Sequence, residues 1–341
     1  MYTFMKNFRE TFSRPVHRIR FLGLFDTVNS VPRFESAWMQ RTKFPYTARS
    51  SAKVIRHAVS IDERRAKFRN DLVSGSNQTV QHDVCHPVHR YQSDLPTMMA
   101  TANLDDASTS SSPHQHGPQR YSVVSADQGI LELWFPGGHA DIGGGWPKAP
   151  GETWALSHAP LVWMVQEAEK AGLQFDRLKM AGLLCCPDKI DEYGHRDTHH
   201  EKTFRQALRQ SATTGFIHDC LEFGGGLPGA SVLSWKIMEY LPFRRMDLKA
   251  DGSWKAIRWP LPGGETRDIP ADAKIHSSAI QRMQHDPSYR PGNLVLMGKG
   301  GRGVRKAPQK YGTGEWQVWQ NEGDPVSEAY VKKPHPPGPE K

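Results

Sequence analysis

The feature that most constrains the fold of this chain is the segment 129–146, which reads GILELWFPGGHADIGGGW. Its first part is apolar or aromatic apart from Glu132, as is typical of a buried strand, and it ends at Pro136. A glycine-rich turn with His139 and Asp141 follows. Because glycine lets the backbone approach a ligand closely, this turn has the pattern of an active-site loop with His139 as a candidate general base. The alternative is a tight turn in which both side chains only form hydrogen bonds.

A second strand-like segment covers residues 17–25 and ends at Asp26, where Asn, Ser and Pro residues predict a turn. After the glycine turn, residues 154–172 have apolar residues at helical spacing and predict a helix. The apolar face of this helix is predicted to contain Leu161, Met164, Val165, Ala168 and Ala171. Strand, glycine turn and helix in this order predict an α/β fold. In open α/β sheets ligands bind at the carboxyl ends of the strands, so Asp26 is a candidate site residue; capping of the loop is its alternative role.

The remaining segments have weaker patterns. Helices are predicted at residues 2–12 and 50–68, the second with His57 as a packed residue, and a shorter helical stretch at 204–211. Residues 254–269 predict a hairpin. Polar composition predicts a disordered insertion at 103–120 and a disordered tail at 306–341.

Composition excludes some classes of protein. The formal net charge is +8, but Lys and Arg are spread along the chain and no nucleic-acid-binding motif accompanies them, so we expect no nucleic-acid partner. No apolar run has the length of a transmembrane segment, and the first ten residues lack the pattern of a signal peptide. A cytoplasmic, intracellular location is therefore the default expectation.

Three segments have features of cofactor or metal sites. Residues 298–303 fit G-x-G-x-x-G, but the sequence after them does not predict the helix that a dinucleotide site requires. Residues 82–89 and 195–200 contain clustered histidines, yet neither has a second ligand cluster at the spacing of a zinc site. We therefore expect no cofactor and no metal ion.

The chain order of Asp26 and His139 agrees with the order of the last two members of the Ser, Asp, His triad in α/β-hydrolases. In that triad the acid orients the imidazole and the imidazole takes the proton of the serine. No G-x-S-x-G segment precedes Asp26. The sequence therefore predicts two of the three members.

Four motifs, FLGLFDTV at 21–28, HAVSIDERR at 57–65, WFPGGHADIGGG at 134–145 and LVWMV at 161–165, together resemble one family. It is an uncharacterised α/β-hydrolase domain family, abundant in fungi, that includes the catalytic domain of type VI secretion phospholipase effectors. The resemblance extends over residues 19–172 and, more weakly, 276–278 and 289–291. It implies a serine esterase or lipase with an ester or phospholipid substrate and possible peripheral membrane contact.

The resemblance also assigns roles to residues. Asp26 takes the position of the acid and His139 that of the base, with His276 as the alternative base. The residues that would shape the loop are Gly137, Gly138, Asp141, Gly143, Gly144 and Gly145.

The chain departs from the family pattern in one respect. The family has a glycine-flanked Ser-Arg motif and an Asp-Gly-Thr segment before the strand that ends at Asp26, and this sequence contains neither. We therefore expect an N-terminally truncated domain, the C-terminal half of an α/β-hydrolase-like sheet with an irregular extension, that is inactive alone. The expected organisation is a partial catalytic domain at 1–175, an extension at 176–305 and the tail. A non-catalytic remnant that binds lipid or protein is the alternative.

Overall fold

The computed structural model describes most of the chain outside a long central segment. The described residues are 19–28, 52–70, 72–73, 129–190, 197–240, 263–297 and 303–333, with Phe4, Thr11, Phe12, His195 and the backbone of 245–248 and 254–257. The chain divides into two compact units, residues 1–78 with 127–341, and residues 79–126. All of the described residues belong to the first unit.

The described part of the chain contains eight strands and seven α-helices. The strands are β1 (Phe21–Phe25), β2 (Val54–Ser60), β3 (Gly129–Phe135), β4 (Arg245–Leu248), β5 (Trp254–Ile257), β6 (Lys274–His276), β7 (Trp316–Gln320) and β8 (Ala329–Lys332). The α-helices are α1 (His139–Gly143), α2 (His158–Lys170), α3 (Arg177–Gly182), α4 (Thr198–Thr214), α5 (Gly229–Glu239), α6 (Ser277–His285) and α7 (Gly292–Val295).

Six strands form one sheet in the order β1-β2-β3-β6-β8-β7. The first four are parallel, whereas β8 pairs antiparallel with β6 and β7 antiparallel with β8. The carboxyl ends of β1, β2, β3 and β6 therefore lie at one edge of the sheet, and Asp26 directly follows β1 there. The predicted α/β fold is confirmed.

Helices cover both faces of this sheet. In β3, Leu133 and Phe135 pack with α2 and α4, whereas Trp134 between them packs with α6 and α7. Successive side chains of a strand point to opposite faces, so one strand supplies both halves of the core. Burying each large apolar side chain contributes about 1.5–3 kcal/mol, which makes the sheet a rigid support for the loops at its edge.

The helix predicted at 50–68 is wrong, because Val54–Ser60 is the strand β2. β2 lies between β1 and β3 and pairs with both. A short apolar run that is buried on both faces shows no alternation, so its sequence pattern does not distinguish a strand from a helix. His57, predicted as a packed helix residue, is a fully buried strand residue instead.

The helix predicted at 154–172 is confirmed as α2, although its buried face differs from the prediction. Val162 and Trp163 are fully buried, whereas Leu161 is 41% exposed. Met164 and Ala168 of the predicted face are buried as expected. The buried face is rotated relative to the predicted one because α2 packs against both the sheet and α4, and this packing buries the bulky Trp163.

The disorder predicted at 306–341 is wrong for its larger part, because β7 and β8 extend the sheet there. Tyr330 pairs with Ile275 of β6, and Val326 and Ala329 are buried. The two strands, WQVWQ and AYVK, are short and lie in a segment that is polar on average, so the hairpin was not predicted; it is stabilised by the strand that it joins. The predicted boundaries at 175 and 305 stay predictions, although β6, β7 and β8 lie in the same sheet as β1–β3.

Three further predictions concern single segments. The helix at 204–211 extends over Thr198–Thr214, and the hairpin joins 245–248 to 254–257, so the prediction of 254–269 contained only its second strand. In the helix predicted at 2–12 the structure describes Phe4, Thr11 and Phe12, which are helical. The insertion at 103–120 and the cluster at 82–89 lie outside the described residues.

Candidate active site

Asp26 and His139 meet at the carboxyl edge of the sheet. Asp26 follows β1 with a positive φ of 46°, a conformation in which Asp is one of the better tolerated residues, and its N–H donates to the carbonyl of Ala58 in β2. His139 begins α1, four residues after the end of β3. Nδ1 of His139 lies 2.7 Å from Oδ2 of Asp26. The structure therefore brings together the two residues that the sequence predicts as acid and base, while their catalytic roles stay predictions.

Arg267 is the second partner of Asp26, and both side chains are fully buried. Nη1 of Arg267 donates to Oδ1 at 2.6 Å and Nη2 to Oδ2 at 2.9 Å, and the N–H of Ser60 also donates to Oδ1. Burial alone would raise the pKa of Asp26, but the charge of Arg267 and the hydrogen bonds from His139 and Arg267 hold it well below its usual range. Asp26 is therefore an ionised acceptor.

The imidazole of His139 has one oriented nitrogen and one open nitrogen. Because Asp26 is an ionised acceptor, Nδ1 donates to it, and the neutral ring carries its free electron pair on Nε2. No described residue hydrogen-bonds to Nε2, and the side chain is 29% exposed. The ring packs against Phe68 with centroids 4.8 Å apart. This arrangement can accept a proton from a hydroxyl group that approaches Nε2.

The glycine loop is held by Asp141, which belongs to α1. Oδ2 of Asp141 accepts hydrogen bonds from the N–H groups of Gly138 and His218, and Oδ1 lies 2.6 Å from Nδ1 of His218. Gly137 has a φ of 115°, and a Cβ there would lie 2.6 Å from Cβ of Asp141. Only glycine fits that position, so Gly137 and Asp141 together determine where His139 begins.

The other predicted loop glycines are less crowded. A Cβ at Gly138 would lie 3.1 Å from the carbonyl oxygen of His218, and one at Gly143 would lie 4.0 Å from Phe25. Gly144 and Gly145 have positive φ values and nothing within 4 Å of an added Cβ. Their backbone conformation, and not close packing, is what turns the chain after α1.

Two carboxylates after β2 support the same loop. Oδ2 of Asp62 accepts from the N–H of Gly137 at 2.7 Å and from Oη of Tyr289 at 2.8 Å. Burial raises the pKa of Asp62 to about 6, although the hydrogen bond from Gly137 opposes the shift. Glu63 accepts from the N–H of His139 at 3.0 Å and from the guanidinium of Arg65. Burial would raise the pKa of Glu63, but Arg65 lowers it below its usual value.

The predicted alternative base, His276, is not brought to Asp26. Its Nδ1 lies 2.8 Å from Oγ of Ser278 and its Nε2 lies 2.8 Å from the carbonyl oxygen of Val326. Its ring stacks on Phe135, and burial lowers its pKa to about 4. With both ring nitrogens engaged in the interior, His276 has the geometry of a structural residue.

The residues that support Asp26 were not predicted from the sequence. Nε2 of His57 accepts from the N–H of Thr27, directly after Asp26, while its Nδ1 lies 2.8 Å from Glu132. His57 and Glu63 belong to the motif at 57–65, which could have indicated them. Arg267 lies in a segment without any motif, and no signal in the sequence indicates it.

Among the described residues, no group of three or more His, Cys, Asp and Glu side chains could hold a metal ion. No helix in the described part of the chain is long and apolar enough to cross a bilayer.

Comparisons with known proteins agree with the motifs. Residues 2–167 match the sequence model of the family described as "T6SS, Phospholipase effector Tle1-like, catalytic domain". "Uncharacterized protein YEL023C" of Saccharomyces cerevisiae is 23% identical over 405 residues, which cover 86% of this chain and 58% of the yeast protein. This chain thus spans less than two thirds of the length of the yeast relative. No solved structure matches this chain. The resemblance predicted from the motifs is confirmed: over residues 2–167 this chain is similar to the catalytic domain of Tle1-like phospholipase effectors.

Proposed function

We propose that this protein supplies the acid and the base of a lipase- or phospholipase-type ester hydrolase. Asp26 orients His139, and Nε2 of His139 takes the proton of a serine hydroxyl as its oxygen attacks the ester carbonyl carbon. The same imidazole then gives the proton to the leaving alcohol. The observation that carries the proposal is the 2.7 Å contact between Nδ1 of His139 and Oδ2 of Asp26 in a domain similar to phospholipase catalytic domains.

The nucleophile is the missing part of this proposal. No described serine or cysteine side chain hydrogen-bonds to Nε2 of His139, and the sequence contains no G-x-S-x-G segment. As the resemblance to the family implies, we propose that these 341 residues lack the nucleophile serine of the family's glycine-flanked Ser-Arg motif. Loss of a triad serine costs roughly 10⁶-fold in rate, so the chain by itself is expected to be inactive.

An exposed apolar surface near the site supports a lipid substrate and peripheral contact with a membrane. On α5 and just after it, Leu233, Ile237 and Tyr240 are 54%, 55% and 70% exposed. From the same helix, Trp235 packs edge-on against Phe68, whose ring contacts His139. Adjacent exposed apolar side chains on one helix are typical of a surface that binds another apolar phase.

Hydrolysis assays test the catalytic proposal. With p-nitrophenyl butyrate and with phosphatidylcholine vesicles, we expect no turnover by the 341-residue chain and turnover by a longer product in which a segment with the family's glycine-flanked Ser-Arg motif precedes residue 1. The His139→Ala substitution should abolish that turnover, whereas His285→Ala, at an exposed position of α6, should leave it unchanged. Turnover by the 341-residue chain, or turnover of the longer product that survives His139→Ala, would contradict the proposal.

The alternative function is a lipid-binding module without turnover, and the exposed surface of α5 favours it too. Flotation with phosphatidylcholine vesicles tests the surface directly. Binding should be lost in the Leu233→Ser/Ile237→Ser double variant and kept in the Leu178→Ser variant, because Leu178 is more exposed than either residue but lies on α3. A longer gene product that binds vesicles through α5 but hydrolyses no ester would favour the module over the enzyme.

A further inference from the structure

We infer that Arg267 is a positioning residue of the candidate site, which fixes the orientation of Asp26 toward Nδ1 of His139 and offsets the charge of Asp26. This inference rests on the proposed role of His139 as a base. Arg267 lies well outside residues 2–167, the part of the chain that matches the phospholipase effector family. The C-terminal part of the chain therefore contributes to a site whose candidate acid and base come from the matched part.

The geometry shows how Arg267 orients the carboxylate. Its two terminal nitrogens contact the two oxygens of Asp26 as a parallel pair, and Oδ2 is shared with Nδ1 of His139. A bidentate contact between guanidinium and carboxylate fixes the plane of the carboxylate as well as its distance. With that plane fixed, Oδ2 can only face the imidazole.

Arg267 is itself held in one position by its neighbours. Its Nη1 donates to Oγ of Ser60 at 2.8 Å, and its Nε donates to the carbonyl oxygen of Phe68 at 2.9 Å, which Nη2 also contacts. Its own carbonyl oxygen accepts from Nδ2 of Asn293. Phe68 thus binds Arg267 through its backbone and packs against His139 through its ring. A movement of Arg267 would therefore change the position of His139 both through Asp26 and through Phe68.

The charge of Arg267 acts on His139 through the shared oxygen. Among the described residues, the charged groups bonded to His139 or to its partners are Asp26 and Arg267, Glu63 with its partner Arg65, and Asp141 of α1. Glu63 is neutralised by Arg65 and Asp141 is bonded to His218, which leaves Asp26 as the anion that faces the ring. A lone buried carboxylate would favour the protonated imidazolium form of a neighbouring histidine. A carboxylate whose charge is neutralised by Arg267 favours that form less. A general base must be unprotonated to accept a proton.

The experiment is a histidine NMR titration of the full 341-residue chain with ¹³C-labelled imidazole carbons, in which His139→Gln assigns the His139 resonance. Arg267 and His139 bond to the same oxygen of Asp26, so Arg267→Met removes a positive charge within about 6 Å of the imidazole ring. We expect the His139 titration midpoint to move about 1–2 pH units higher in this variant than in the unaltered chain. In Arg267→Lys the charge remains, so the midpoint should stay close to that of the unaltered chain, while the Nδ1 proton resonance moves upfield as the two-point contact is lost.

The matched control is Arg282→Met, which removes another buried arginine that does not contact Asp26. An unchanged His139 midpoint in Arg267→Met, or an equal shift in Arg282→Met, would overturn the inference. If Arg267→Met does not fold, Arg267→Gln, which still can donate to the Phe68 carbonyl, answers the same question. The titration needs no turnover, so a failure to detect ester hydrolysis would overturn the proposed function and leave this inference standing.

Discussion

The buried pair of Asp26 and Arg267 leads to a sharp prediction about stability. Both side chains are fully buried and bonded at 2.6 and 2.9 Å. In Asp26→Asn the side chain keeps its shape but loses its charge, and one of its two terminal atoms becomes a donor that faces another donor. Arg267 would then carry an unpaired charge in the interior.

The expected magnitude follows from that unpaired charge. Removing one partner of a buried ion pair costs about 3–5 kcal/mol, because the desolvation of the other partner is no longer compensated. The Asp26→Asn/Arg267→Met double variant removes both charges, so its cost should be at least about 2 kcal/mol smaller than the sum of the two single costs. The coupling between the two sites is therefore the quantity to measure.

Urea unfolding of the four chains, followed by circular dichroism, gives the free energies of unfolding for this cycle. The control is Glu201→Gln, which breaks the exposed contact between Glu201 and Arg205 on α4 and should change the free energy by no more than about 0.5 kcal/mol. A loss below about 1 kcal/mol in Asp26→Asn, or single costs that simply add in the double variant, would refute the reasoning.

Three further measurements address other parts of the site. The pKa of Asp62 is raised to about 6 from its usual 3.8, so the contribution of Asp62 to stability is fully present below pH 3.8 and is lost as the pH rises through 6. Asp62→Asn should therefore be more stable than the unaltered chain at pH 7, by at most about 3 kcal/mol. In urea unfolding this gain should vanish at pH 4. For Asp26 the sign is opposite, because a lowered pKa gives stability that is present above 3.8 and lost below it, and acid unfolding should become shallower in Asp26→Asn. Gly137→Ala should cost more than 1 kcal/mol and shift the His139 imidazole resonances, whereas Gly144→Ala, which meets no atom within 4 Å, should leave those resonances in place.

Local patterns in the sequence were sufficient for several elements. The strand β3 and the glycine loop after it are found where residues 129–146 predicted them. A short apolar run that is ended by proline and glycine is compatible with few structures other than a buried strand and a turn. The helix α2 was predicted from its period, but the prediction placed Leu161 in the core, where Trp163 is found instead. A hydrophobic period predicts that a helix has an apolar face. The elements that the helix packs against decide which residues are buried.

The candidate site divides in the same way. Asp26 and His139 could be placed at one edge from the sequence, because the carboxyl ends of parallel strands meet there. The resemblance named His139 as the base and His276 as the alternative, but the contacts of the two imidazoles depend on tertiary packing and could not be read from the sequence. In the structure the shared contact with Asp26 belongs to His139, while both nitrogens of His276 bind other partners in the interior.

The sequence by itself therefore determined the α/β class, the glycine loop and the two residues that meet beside it. The tertiary structure alone decided that residues 54–60 form a strand between two others, that 316–332 extend the sheet, and that Arg267 binds Asp26. The physical reason is the range of the interactions concerned. Periodicity and turn chemistry act between neighbours in the chain, whereas a buried arginine 241 residues away from its carboxylate is stabilised only once folding has removed both from water.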